Sequence, residues 1–244
     1  MGRAFELRKG RKLKRWSKMA KTFSRIGKDI VMAIKEGGTE PDSNAKLRAV
    51  MQNAKAANMP KEIVERAIKK AKDKDTSDYK EGTFEGYGPH GVAIMIETAT
   101  DNNNRTVASV RSAFSKGGGN MGTTGSVEFM FERKCHFKIP KGELDPEELE
   151  FELIDAGIDE LFEEEPEEGA EDQTSTIMIY GPFESFGTIQ KALEERKFEI
   201  SESGYERIPT TTTKLSEEDE AEVDKLLEKL EEDDDVMNVY HTMG

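Results

Sequence analysis

The sequence predicts a multidomain α+β chain: an N-terminal helical domain followed by two ferredoxin-like α+β domains. Three observations carry this expectation. Apolar residues recur at helical spacing through roughly the first 70 positions. Near residue 83 the period changes to the alternation of strands. From there the elements follow one another as βαβ, βαββαβ, βαβ.

Taken in order, Trp16, Met19, Phe23, Ile26, Ile30 and Ile34 form one stripe of an amphipathic basic helix, which Gly37-Gly38 should stop. Asp42-Ser43-Asn44 offers caps for a second helix presenting Leu47, Val50, Met51 and Ala54. Pro60 suits the first position of a third, with Ile63, Val64, Ala67 and Ile68 inward. Asp73 to Gly82 reads as a linker. Strands are expected at Val92–Glu97, Ser126–Glu132 and Cys135–Ile139, and a helix from Asn104 to Lys116. Val127, Phe129 and Phe131 would then share a face. Asp145-Pro146-Glu147-Glu148 starts a helix that Gly157 ends. Strands near Glu160–Glu163 and Ser175–Tyr180 follow, then a helix with Phe183, Phe186, Ile189 and Leu193 inward. Two more strands, Phe198–Ser203 and Arg207–Lys214, precede an acid-rich helix from Ser216 to Glu231 and a last strand, Val236–His241. Periodicity admits two consecutive βαββαβ units or one inserted into the other.

Charge is unevenly shared. Of 36 Lys and Arg and 50 Asp and Glu, residues 1–75 hold 21 and 9, leaving 15 and 41 for the other 169 residues. An electropositive head thus precedes an electronegative body. Residues 3–28 alone carry eleven cations and one acid, Glu6. Such crowding repels itself unless a phosphate polymer neutralises it, and each neutralised phosphate releases a counterion. The expected partner is nucleic acid, either DNA or ribosomal or transfer RNA. The residues expected to touch it are Arg8, Lys9, Arg11, Lys12, Lys14, Arg15, Lys18, Lys21 and Arg25, with Lys46, Arg48 and Lys55 of the second helix. Arg105 joins them as a phosphate contact, the alternative being pairing with neighbouring acids.

Other chemistry is excluded on context. Gly86–Gly91 and Gly117–Gly122 both spell GxGxxG, but the first precedes a strand and the second follows a helix, so neither is a dinucleotide site. The loop through Gly125 still offers backbone N–H groups to an anion. His90, His136 and His241 have no metal-ligand spacing with Cys135, and no nucleophile elbow, P-loop or Ser/His/Asp order is visible. No cofactor and no enzymatic activity are expected. No apolar run approaches membrane-spanning length, and a single cysteine fits a reducing cytoplasm. Nine acids between Asp159 and Asp172 read as a solvated hairpin tip.

Long dispersed strings, among them Asn53-Ala54-Lys55-Ala56-Ala57-Asn58-Met59-Pro60-Lys61, Glu85-Gly86-Tyr87-Gly88-Pro89, Asp101-Asn102-Asn103-Asn104-Arg105-Thr106 and Asp233-Asp234-Asp235-Val236, resemble the YebC family. That family contains probable transcriptional regulators and mitochondrial translational activators of cytochrome oxidase. It commonly opens with Gly-His-Ser-Lys-Trp, where this chain has Gly2-Arg3-Ala4-Phe5. The resemblance implies a cytoplasmic, non-enzymatic protein with promoter DNA or the ribosome as target. It also implies that the second α+β domain is inserted into the first. The expected domains are therefore 1–78, then 79–132 with 206–244, and 133–205 between them.

Overall fold

The computed structural model describes residues 3–72, 79–166 and 174–244, with side chains from residue 19 onward. The chain divides into two compact units, residues 1–79 and 80–244.

The first unit holds α1 (Arg3–Gly37), α2 (Ala45–Ala56) and α3 (Lys61–Lys72). Its core joins Ile26, Ile30, Ala33 and Ile34 of α1 to Leu47 and Ala54 of α2, Met59, and Ala67 of α3. All but Ala33 and Met59 are positions the helical periodicity selects, whereas Met19, expected on the same stripe, is 40% exposed. Asn44 ties the first two helices together. Its Oδ1 accepts from Leu47 N at 3.0 Å as the N-cap, and its Nδ2 donates to Ala33 O at 2.7 Å and Gly38 O at 2.8 Å. The arrangement needs glycine at 37, where a Cβ would lie 2.7 Å from Asn44 Cγ. Gly38 reverses the chain at φ +85°. Pro60 precedes α3 rather than opening it, and its carbonyl accepts from Ile63 N at 2.9 Å.

The second unit runs β1 (Lys80–Tyr87), β2 (Ala93–Thr100), α4 (Asn103–Lys116), β3 (Asn120–Met121), β4 (Phe131–Pro140), α5 (Pro146–Leu153), β5 (Glu160–Glu164), β6 (Thr176–Pro182), α6 (Phe186–Glu195), β7 (Glu202–Pro209), α7 (Glu217–Glu231) and β8 (Val236–His241). Two four-stranded antiparallel sheets result, ordered β3-β1-β2-β8 and β5-β6-β4-β7. The second is a continuous βαββαβ run, and its strands fall in sequence between β3 and β8. β4 and β7 each run across residues 132/133 and 205/206, where the sequence reading places its boundaries.

Four expectations need correction. Lys80–Tyr87 is a strand, not the end of a linker, so the first sheet opens with a hairpin and is not a βαββαβ unit. Alternation is hidden there because Gly82 and Gly86 share a face with Phe84, while the opposite face carries Glu85, a buried acid. A Cβ at Gly86 would lie 2.9 Å from the Phe114 ring, so glycine is what lets α4 sit on this strand. Secondly, Ser126–Glu132 is strand only from Phe131, where β4 begins: Val127 and Phe131 are buried, but a short 3-10 turn at Glu128–Met130 leaves Phe129 74% exposed. Thirdly, Cys135–Ile139 is part of the longer β4. Finally, the strands expected at Phe198–Ser203 and Arg207–Lys214 are replaced by one, β7, which takes in only the end of the first and the start of the second.

On the first sheet, α4 and α7 cover Val92, Ile94 and Ile96 with Val110, Phe114, Val223, Leu226 and Leu230. On the second, Cys135, Phe137, Ile139, Ile177 and Ile179 are buried on one face, where Phe137 meets Phe186 of α6. Glu97 joins the sheets. It accepts from Arg207 Nε at 2.9 Å and Tyr240 Oη at 3.1 Å, and from Asn238 Nδ2 at 3.3 Å.

Candidate nucleic-acid interface

The cations of the first unit are where the sequence puts them, but they are not equivalent. Arg8, Lys9, Arg11, Lys12, Lys14, Arg15 and Lys18 lie within α1, and their side chains fall outside the described residues. Lys21 and Arg25 continue the same helix at i,i+4 spacing and are half-buried. Lys55 is exposed in the last turn of α2. Lys46 pairs with Glu36 at 2.8 Å across the α1–α2 turn. Arg48 donates to Pro41 O at 2.7 Å and so braces that turn. Both have structural duties that compete with a phosphate.

The α3 helix adds cations not singled out from the sequence. Lys61, Arg66, Lys69 and Lys72 are exposed, opposite the face formed by Ile63, Val64, Ala67 and Ile68. Tyr79 also belongs here. Its ring lies 5.4 Å from Lys28 Nζ and 4.9 Å from Lys70 Nζ, and Lys70 donates to its hydroxyl at 2.9 Å. Lys28 is 8% exposed, a depth that helical periodicity does not assign to a lysine.

Arg105 belongs to the other unit, and the structure realises the acid-pairing alternative. Its guanidinium donates from Nη2 to both oxygens of Asp235, at 2.9 and 2.8 Å, from Nε to Oδ2 at 3.2 Å, and to Asp101 at 3.0 Å. Asp235 is 5% exposed and also accepts from Thr100 Oγ1 at 3.1 Å and Thr106 Oγ1 at 2.8 Å. Burial alone would raise its carboxyl. The hydrogen bonds from Arg105, Thr106 and Thr100 and the Arg105 charge outweigh that and hold it below the ordinary 3.8. Arg105 is thus a tie between α4 and the residue that precedes β8.

The glycine-rich loop is likewise already supplied with its anion. Glu85, 3% exposed, accepts from Gly125 N at 2.7 Å, Val127 N at 2.7 Å and Glu128 N at 2.9 Å. The expected anion position is filled by the chain's own carboxylate.

A family model described as the TACO1/YebC protein N-terminal domain matches residues 3–74, and one described as the TACO1/YebC second and third domain matches residues 79–243. This chain belongs to the TACO1/YebC family. Among TACO1/YebC relatives, the "Probable transcriptional regulatory protein FP0835" of Flavobacterium psychrophilum is 66% identical over 243 residues, covering 100% of this chain and 99% of that protein. A "Probable transcriptional regulatory protein" of Parabacteroides distasonis is 54% identical over 244 residues, covering 100% and 97%. The crystal structure of the conserved hypothetical protein Aq1575 from Aquifex aeolicus is 36% identical, with a TM-score of 0.78, covering 92% of this chain and 90% of that one.

In this TACO1/YebC chain Cys135 is buried in the second sheet and His90 lies beside the acids of α7. Burial pushes the Cys135 thiol up to about 11, and its Sγ lies 3.4 and 3.3 Å from the carbonyls of Gly181 and Pro182. His90 pairs with Glu222 at 3.0 Å. Among the described residues no three His, Cys, Asp or Glu side chains are arranged to hold a metal ion, and no helix is long and apolar enough to cross a membrane.

Proposed function

We propose that this chain is a non-enzymatic, cytoplasmic regulator of gene expression that grips nucleic acid through the basic faces of α1, α2 and α3. The observation that carries this reading is the separation of charge. Cations crowd a three-helix unit, with Lys55, Lys61, Arg66, Lys69 and Lys72 exposed among the described side chains, and the rest of the chain is strongly acidic. The relatives' names, probable transcriptional regulatory proteins, support a regulator.

A second reading, a translation factor on ribosomal or transfer RNA, is favoured by the composition of α3. Its outward side chains are Lys61, Glu62, Glu65, Arg66, Lys69 and Lys72, with no Asn or Gln to read adenine edges. Contacts of that kind position a phosphate backbone and carry little sequence information. Ultraviolet crosslinking in cells, followed by sequencing of the attached nucleic acid, separates the two. Enrichment of a small set of promoters is the outcome for the first reading, and enrichment of ribosomal or transfer RNA for the second. Recovery of no nucleic acid contradicts both.

A further inference from the structure

The face of the second sheet opposite its buried layer carries a row of rings. Strand register places Tyr180 opposite His136 on the neighbouring strand and Phe162 opposite Met178. The Phe162 and Tyr180 rings stack at 6.0 Å and 17°, and Tyr180 and His136 lie 6.2 Å apart at 51°. The row therefore crosses β5, β6 and β4. Phe162 is 41% exposed on an edge strand. Tyr180 donates to Glu206 at 2.8 Å, which fixes its ring. Gly204 opposite His136 leaves room for the imidazole, since a Cβ there would lie 3.2 Å from Cε1.

Carboxylates border the row on both sides. Glu160 and Glu164 on β5 and Glu202 and Glu206 on β7 point to the same face, against Lys134 and Lys138. Both lysines are already paired, Lys134 with Asp159 at 3.2 Å and Lys138 with Glu164. This excess of negative charge repels the phosphates of a nucleic acid, so base stacking is not what the rings serve. A planar cation satisfies both features. An arginine guanidinium stacks on aromatic faces, gives up its hydration readily and offers a fork of donors to flanking carboxylates, whereas a lysine ammonium is compact and strongly hydrated.

From this juxtaposition we propose that the Phe162–Tyr180–His136 face is a docking site for an arginine-bearing basic segment of a partner protein. The site is separate from the basic helical unit and stands whether or not that unit binds nucleic acid.

The test uses the full chain and two synthetic peptides as probes, residues 3–28 of this sequence and the same peptide with every Arg changed to Lys. At low salt the native peptide is expected to bind, and Phe162→Ala to weaken it roughly five- to tenfold, the scale of one partly desolvated cation–π contact. The lysine peptide should be weakened similarly. Phe151→Ala, which removes an exposed ring from α5, should leave affinity unchanged. Amide resonances of residues 136, 162 and 180 in the wild-type chain should shift as the native peptide is added, a readout that needs no variant. Equal affinity for both peptides, equal affinity of Phe162→Ala and wild type, or absent binding overturns the proposal. So does a (dT)12 oligonucleotide that shifts the same three resonances.

Discussion

Replacing Glu85 with alanine is expected to lower the unfolding free energy of the second unit by about 4 kcal/mol, the top of the usual range for a point substitution. The carboxylate accepts three backbone N–H groups, one of them, on Val127, in a buried position. Removing it strands those donors, each costing about 1–3 kcal/mol where water cannot replace the partner. Water reaches the part-buried Gly125 and Glu128 groups more easily, which is why the sum is not simply tripled. Glu85→Gln is expected to cost less, because one oxygen remains, but it turns an amide NH2 towards a backbone donor. Urea titration at neutral pH measures both. Amide exchange at Val127 and Glu128 should rise in the alanine variant well beyond that of Val92 or Ile94 in the sheet core. Loss below about 1 kcal/mol would mean that the loop is held by other contacts.

The second large effect is at Asp235. Alanine there removes the acceptor of the buried Thr100 hydroxyl and the main carboxylate partner of Arg105, while Thr106 Oγ1 keeps Asn102 O at 3.1 Å and Arg105 keeps Asp101 at 3.0 Å. The expected loss is about 3 kcal/mol, from the stranded Thr100 hydroxyl and the lost charge-assisted bonds of Arg105. Its signature is in the pH dependence. The folded carboxyl titrates below its ordinary 3.8, so its contribution is fully present above that pH and is lost as pH falls through the folded value. The stability difference between wild type and Asp235→Asn should therefore be constant from pH 7 to about 5 and shrink below about 4. A difference that stays flat down to pH 3 would show that the charge of Asp235 is not what holds Arg105.

Where local rules agree, the residues themselves announce the fold. Asp145 and Pro146 open α5, Ser216 caps α7, and Val236–His241, the last strand expected, is β8 to the residue. The three-helix core was equally readable from the spacing of Ile26, Ile30, Leu47, Ala54 and Ala67. What misled was polar burial. Glu85 inside β1 hides the alternation of a strand, because its stabilising partners are backbone groups some forty residues away that leave no mark on side-chain pattern. Phe129 and Phe131 look like one strand face, and only the 3-10 turn between them separates an exposed ring from a buried one. The candidate interface divides in the same way. Crowding of Lys and Arg in α1 is visible by counting, but the diversion of Arg105 to Asp235 spans 130 positions. The ring row on the second sheet depends on the register of β4, β5 and β6 and has no signature in any one of them.

The central claim, that the helical unit holds a phosphate polymer by charge, is tested most directly by the salt dependence of binding. Affinity of the full chain for a random 30-base-pair duplex and for a structured RNA hairpin should be measured between 50 and 200 mM salt. The account predicts that log K falls linearly with log salt with a slope of about −4 or steeper on at least one of the two, and that Lys21→Glu with Arg25→Glu and Lys55→Glu makes the slope shallower by about 3. Binding that ignores salt, a slope unchanged in the triple variant, or no binding to either polymer at 50 mM would contradict it.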